Sequence, residues 1–325
     1  MTERTTPTVR GQRTVGALGR TLMHEHVFVL TKEVLDNVPG LWDEERYVAE
    51  AIEQLNALHA AGVSTIVDPT IVGLGRYIPR IQRVASGTDV NIIVGTGVYA
   101  FAEMPHFFHY RGPGTMIGGP EPITQLLIDD VREGIGGTRV RAGFIKIAME
   151  YAEVTADVER ILAATVEAHL ETGAPILTHS NATARTGRIQ QDYFAARGVD
   201  LSGVVIGHVG DTTDLDYLME LADRGSILGM DRFGYTPFLS TEKRVDTIRR
   251  LCERGYSDRI VLSHDSACFT DLFPPEERAV HLPDLDYLFI PTRVVPMLLE
   301  AGVSPAQIDD MLINNPRRFF DVEIH

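Results

Sequence analysis

Short apolar runs recur along the chain at intervals of roughly 20 to 50 residues, each followed by a longer stretch with a different hydrophobic period. After a glycine-punctuated start that suits a short hairpin, the runs are TLMHEH (21–26), STIVDP (64–69), NIIVGTG (91–97), AGFIKI (142–147), PILTHS (175–180), VVIGHVG (204–210), SILGMD (226–231) and RIVLSHD (259–265). Each is mostly apolar rather than alternating, the pattern of a strand buried on both faces of a parallel sheet. Between them, segments such as DEERYVAEAIEQLNALHAAG, DVERILAATVEAHLETG and TEKRVDTIRRLCERG place apolar residues three and four apart, with charges early and a glycine stop. These are helix signals. Eight strands with helices between them predict an α/β fold, a single (β/α)8 barrel (TIM barrel) over residues 1–325 with a short N-terminal hairpin extension.

Two irregular segments interrupt this rhythm, FAEMPHFFHYRGPGTMIGGPEP (101–122) after the third run and SACFTDLFPPEERAVHLPDLDYL (266–288) after the eighth. In a barrel both are βα loops on the C-terminal face, where substrates bind, and their phenylalanine and tyrosine content argues against mere surface excursions.

Polar side chains sit at the trailing ends of the runs: His24, His26, Lys146, His179, His208 and Asp265. Any one histidine is most simply a structural or surface residue. Five strands that each carry a metal-ligand type at one end are different, because parallel barrel strands bring those ends to one mouth. Alternation along a strand predicts His24 and His26 on the barrel axis, with Glu25 turned toward the helices. Imidazole and carboxylate donors suit Zn²⁺ and its neighbours Fe, Co and Mn without selecting one. The donors outnumber what one tetrahedral ion needs, which predicts two divalent ions. Lys146 has two roles open to it: a neutral amine can take up CO₂ to become a bridging carbamate, or it can form a Schiff base with a carbonyl substrate. Four histidines and Asp265 around it favour the metal centre.

Charge narrows the partners. At a formal net charge of −15, nucleic acid and anionic membrane surfaces are excluded as main partners, leaving a small molecule. Cys252 and Cys268 are too few for a disulfide framework, and neither a signal peptide nor a membrane-spanning run is visible, so a cytoplasmic location is expected.

The ordered motifs TLMHEH, GFIKIA, ILTHSNA, VIGHVGD and LSHDSA resemble the phosphotriesterase family of the amidohydrolase superfamily across nearly the whole chain. The resemblance implies that His24, His26 and Asp265 hold the more buried ion and His179 and His208 the more exposed one, with carboxylated Lys146 bridging them. Tyr99 in GTGVYAF and Arg232 in GMDRFG are similar to residues of the phosphotriesterase-like lactonase branch, where the tyrosine meets the substrate and the arginine shapes the pocket. The plainer alternatives are a rim aromatic and a salt bridge. Phe28, Phe238, Phe269 and Phe273 are candidates to line an apolar channel. The implied activity is hydrolysis of N-acyl-homoserine lactones (quorum quenching), by a hydroxide held between the ions, with Asp265 moving its proton. Organophosphate triesters are the alternative main substrate, and a homodimer is the implied assembly.

Overall fold

The computed structural model describes residues 3–38 and 40–325. The N-terminal hairpin is formed by β1 (Thr5–Thr8) and β2 (Gly11–Thr14), antiparallel with Thr8 opposite Gly11. It is pinned beneath the barrel by Val9 N donating to Ile92 O at 2.9 Å and by the Arg10 guanidinium donating to Ala85 O at 2.9 Å.

The first apolar run does not form one strand. β3 (Thr21–Leu22) joins the barrel, the chain leaves the ladder, and β4 (His26–Val29) resumes an extended path above it. The other barrel strands are β5 (Thr65–Asp68), β6 (Asn91–Gly97), β7 (Phe144–Met149), β8 (Ile176–Ser180), β9 (Val204–Ile206), β10 (Ile227–Met230) and β11 (Ile260–Leu262), all pairing parallel in sequence order. The two edges of the sheet meet where Met23 N donates to Leu262 O at 3.2 Å and His24 N to Ser263 Oγ at 2.8 Å. Strands and intervening helices therefore make a (β/α)8 barrel.

Met23, Val67, Ile93, Phe144, Leu177, Val205, Ile227 and Val261, one from each apolar run, fill the interior, with Leu18, Phe319 and Phe320 in the same cluster. The mouth is thus floored by packed side chains and is not a pore. The three helix segments become Glu44–Ala60, Ala156–Thr172 and Thr241–Glu253. Asp43, Thr155 and Ser240 accept the Arg46, Val158 and Lys243 amides as N-caps. The second helix stops at Gly173, whose φ of +73° a residue with a Cβ adopts only with strain.

The two long loops behave differently from one another. In the segment after β11, β12 (Ala267–Thr270) pairs parallel with β4, Ala267 opposite His26, followed by a helix at Pro275–His281. The segment after β6 forms a short helix at His106–His109, and Arg160 ties it down by donating to Phe108 O at 3.1 Å and Arg111 O at 2.8 Å. Tyr99 lines the central cavity, and Phe101 packs its ring 5.1 Å from that of His179. Both cysteines are free, and among the described residues no helix is long and apolar enough to cross a membrane.

Candidate metal centre

At the C-terminal mouth lies a cavity of about 260 Å³. His24, His26, Lys146, His179, His208 and Asp265 all line it, together with Tyr99 and Arg232. All six of the expected ligand positions are therefore brought together.

Strand alternation delivers only some of them. On β7 and β8, Lys146 and His179 stand two residues above the interior Phe144 and Leu177, as a strand requires. His24 follows the interior Met23 directly, so unbroken alternation would turn it away; it reaches the cavity because the ladder is interrupted after Leu22. His208 and Asp265 lie past their strands with φ of +64° and +57°. These left-handed residues, unusual without glycine, turn the chain so that both side chains reach the cavity.

The histidine rings are held one nitrogen at a time. His24 Nδ1 and His208 Nδ1 lie 3.0 Å and 2.9 Å from the two oxygens of Asp231, and His26 Nδ1 lies 2.7 Å from Thr70 Oγ1. With Asp231 accepting from each Nδ1–H, the Nε2 lone pairs are left free. They converge: His24 Nε2 and His26 Nε2 are 3.4 Å and 3.2 Å from Asp265 Oδ1, and His208 Nε2 is 3.9 Å from Oδ2. His179 packs its ring 4.5 Å from that of His208. Lys146 Nζ, fully enclosed, donates to Thr178 O at 2.9 Å.

Burial sets the protonation states. It lowers the His24 pKa, with Lys146 adding to the effect; it drives His208 well below the usual value and brings His179 to about 4. It brings the Lys146 ammonium down to about 7, against Asp231 and Asp265. For Asp265 burial works the other way, but His24, His208, His26 and Arg232, the last charged at any pH, outweigh it and hold the carboxyl well below its ordinary range. Neutral imidazoles beside an ionised carboxylate are what a divalent cation requires of its ligands.

Among the described residues two donor groups are close enough to grip one ion, His24–His26–Asp265 and His24–His208–Asp231. The first faces the cavity. In the second, the Asp231 oxygens are already engaged by ring nitrogens and by His208 N at 2.8 Å, so Asp231 orients the His24 and His208 rings.

Glu25 and Arg232 have partners here that the sequence did not indicate, and Asp211 was not singled out from it. Glu25 is turned from the cavity as expected, but it is fully buried and accepts from Ser263 Oγ, His264 N, His264 Nδ1 and Ser266 N at 2.7, 2.9, 2.6 and 3.1 Å. It thus clamps the turn that carries Asp265. Arg232 bonds Asp265 Oδ2 through Nε at 3.2 Å and Asp211 Oδ2 through Nη1 at 3.0 Å. Burial opposes its charge, and Asp265, Asp211 and Asp231 more than compensate. The salt bridge weighed for Arg232 therefore exists, at the cavity wall. Asp211 lies three residues after His208 in VIGHVGD, a signal that was in plain view.

Of the four phenylalanines, Phe238 and Phe273 line the cavity, while Phe28 and Phe269 do not. The latter two, opposite one another across β4 and β12, pack in an aromatic cluster with Trp42 and Tyr47, with ring centroids 3.8 Å apart for Tyr47–Phe269 and 5.3 Å for Phe28–Trp42. Large rings bury more area there than at an open rim.

A model of the phosphotriesterase family matches residues 5–320. The chain belongs to the phosphotriesterase family. It is 50% identical over 315 residues to proteins named phosphotriesterase homology protein in two strains of Mycobacterium tuberculosis, covering 97% of both chains. It is 39% identical over 305 residues to an aryldialkylphosphatase of Saccharolobus solfataricus, covering 93% of this chain and 95% of that one. A solved structure described as the phosphotriesterase from Mycobacterium tuberculosis superposes with a TM-score of 0.96 at 49% identity, covering 98% of each chain. The family is one of dinuclear metal-dependent hydrolases, and the freed Nε2 atoms gathered around an ionised Asp265 fit such a centre.

Proposed function

We propose that the protein is a dinuclear metal-dependent lactonase acting on N-acyl-homoserine lactones. His24, His26 and Asp265 would hold one ion and His179 and His208 the other, with Lys146 bridging as a carbamate. The lowered basicity of the Lys146 amine favours that form, because only a neutral amine adds to CO₂, losing a proton as the carbamate forms. When bound, the ions supply Lewis acidity and lower the pKa of water enough for attack near neutral pH. Zinc is the metal we expect.

The chain's own groups handle orientation and protons. Asp265, ionised and fixed by Arg232, accepts the proton of the attacking water and returns it to the alkoxide that leaves when the ring opens. Burial, then the Asp265 charge, keep the Tyr99 phenol protonated, so it is a donor for the oxyanion developing on the carbonyl. Val29, Leu74, Leu272, Phe273 and Phe238 give the cavity an apolar side suited to an acyl tail.

The observation that carries this proposal is the pairing of that apolar wall with Tyr99 and Arg232 at the ligand cluster. Organophosphate triesters are the second substrate class, favoured by the name aryldialkylphosphatase of the Saccharolobus solfataricus relative. Stripping the protein with a chelator should abolish lactone hydrolysis and re-addition of Zn²⁺ should restore it. Undiminished turnover after stripping, with borohydride trapping a substrate on Lys146, would instead establish Schiff-base chemistry.

A further inference from the structure

Glu150 stands just past β7, four residues after Lys146 and in step with it by the two-residue repeat of a strand. Its Oε2 lies 2.9 Å from His179 Nε2, and its Oε1 accepts from Asn181 Nδ2 at 2.8 Å. Asn181 is itself fixed: its Oδ1 accepts from Ala184 N at 3.0 Å, and its backbone N–H donates to Thr186 Oγ1 at 2.7 Å, whose hydroxyl donates to Met149 O at 2.8 Å. The carboxylate is thus locked between the ends of β7 and β8. His179 is locked too, its carbonyl accepting from Gln190 Nε2 at 2.9 Å.

This arrangement reverses the one seen at the other rings. His24, His26 and His208 have Nδ1 bonded to the wall and Nε2 free. In His179 it is Nε2 that is engaged, by a residue outside the cavity lining, while Nδ1 lies 3.4 Å from the hydroxyl of the cavity-lining Tyr99. A carboxylate at one nitrogen of a neutral imidazole selects the tautomer protonated there and leaves the other nitrogen as the donor to an ion.

We infer that Glu150 is a positioning residue for His179: it accepts the Nε2–H and fixes the ring with Nδ1 toward the cavity. The inference rests on the metal-hydrolase function proposed above, but its tautomer half is open to measurement without metal.

Two readouts test it. In ¹⁵N-histidine spectra of the metal-free protein, His179 should be the Nε2–H tautomer, and Glu150→Ala should convert it to a mixture. In the metal-loaded protein under chelator challenge, Glu150→Ala should bind one of its two ions roughly 10- to 100-fold more weakly while the other is retained. Glu150→Gln, whose side-chain oxygen still accepts, should recover part of the loss and serves if the alanine variant does not fold. Asn181→Ala, which loosens the carboxylate but leaves it beside His179, should keep the Nε2–H tautomer and lose less metal than Glu150→Ala. The inference is overturned if His179 keeps its tautomer and both ions bind normally without Glu150, or if Asn181→Ala and Glu150→Ala lose metal alike. A wild-type protein that takes up no metal would sink the proposed function alone, with the tautomer of His179 still deciding the role of Glu150.

Discussion

Asp265 concentrates the chemistry of the site in one side chain. Three histidine nitrogens and the Arg232 guanidinium approach its carboxylate, and its backbone is held left-handed to permit this. Asp265→Asn should lower kcat on a lactone by roughly 10²- to 10⁴-fold, the usual worth of a positioned acid–base group, with circular dichroism unchanged. Retention of wild-type kcat would remove Asp265 from the proton path. Phe238 is the residue through which we propose chain-length specificity: it lines the cavity and is 61% exposed at the rim, so its loss costs the fold little. Phe238→Ala should reduce kcat/KM on long-chain lactones several-fold more than on short ones, since each methylene it covers is worth about 0.8 kcal/mol. Equal losses on both would place the acyl tail elsewhere. The cluster at the cavity was legible in the sequence because the type of its residues and their strand-end placement coincide. Phe28 and Phe269 were not, because phenylalanine next to a ligand looks the same whether it faces a pocket or an aromatic cluster.

At the scale of elements, the pairing of β4 with β12 and the turn 263–266 join the first and last strands above the barrel. Glu25 is the centre of that junction. Glu25→Ala would leave several buried donors without an acceptor, at a cost of about 3 kcal/mol by urea unfolding, and should lower metal content by releasing the turn that carries Asp265. A stability change below about 0.5 kcal/mol would contradict this account of the junction. The eight apolar runs predicted the strands because burial on both faces leaves a continuous signal. They did not predict the break after Leu22 or the ribbon above it, since a run of apolar residues is silent about which backbone partners it meets. The orienting roles of Asp231 and Glu150 were equally hidden: each depends on a hydrogen bond to a ring 23 or 29 residues away in sequence.

For the whole molecule, the buried site makes stability depend on pH. His179 has its folded-state pKa depressed from 6.5 to about 4, so below pH 6.5 the unfolded chain binds a proton that the native state does not. Stability is therefore lost as pH falls through that window. His24 and His208 are lowered as well and act in the same direction, as does Lys146 between 10.5 and about 7. The chelator-stripped protein should show a lower urea midpoint at pH 4.5 than at pH 7.5. A midpoint that is flat or rises toward acid would mean that these rings are protonated in the native state.

The barrel, the cluster at its mouth and family membership leave substrate choice as the central claim. It is tested most directly by kcat/KM of the zinc-loaded protein on an N-acyl-homoserine lactone and on the triester paraoxon, side by side. The apolar wall opposite Tyr99 and Arg232 predicts a lactone value at least about tenfold the higher, a difference of about 1.4 kcal/mol in transition-state stabilisation. A triester value above the lactone value would contradict it.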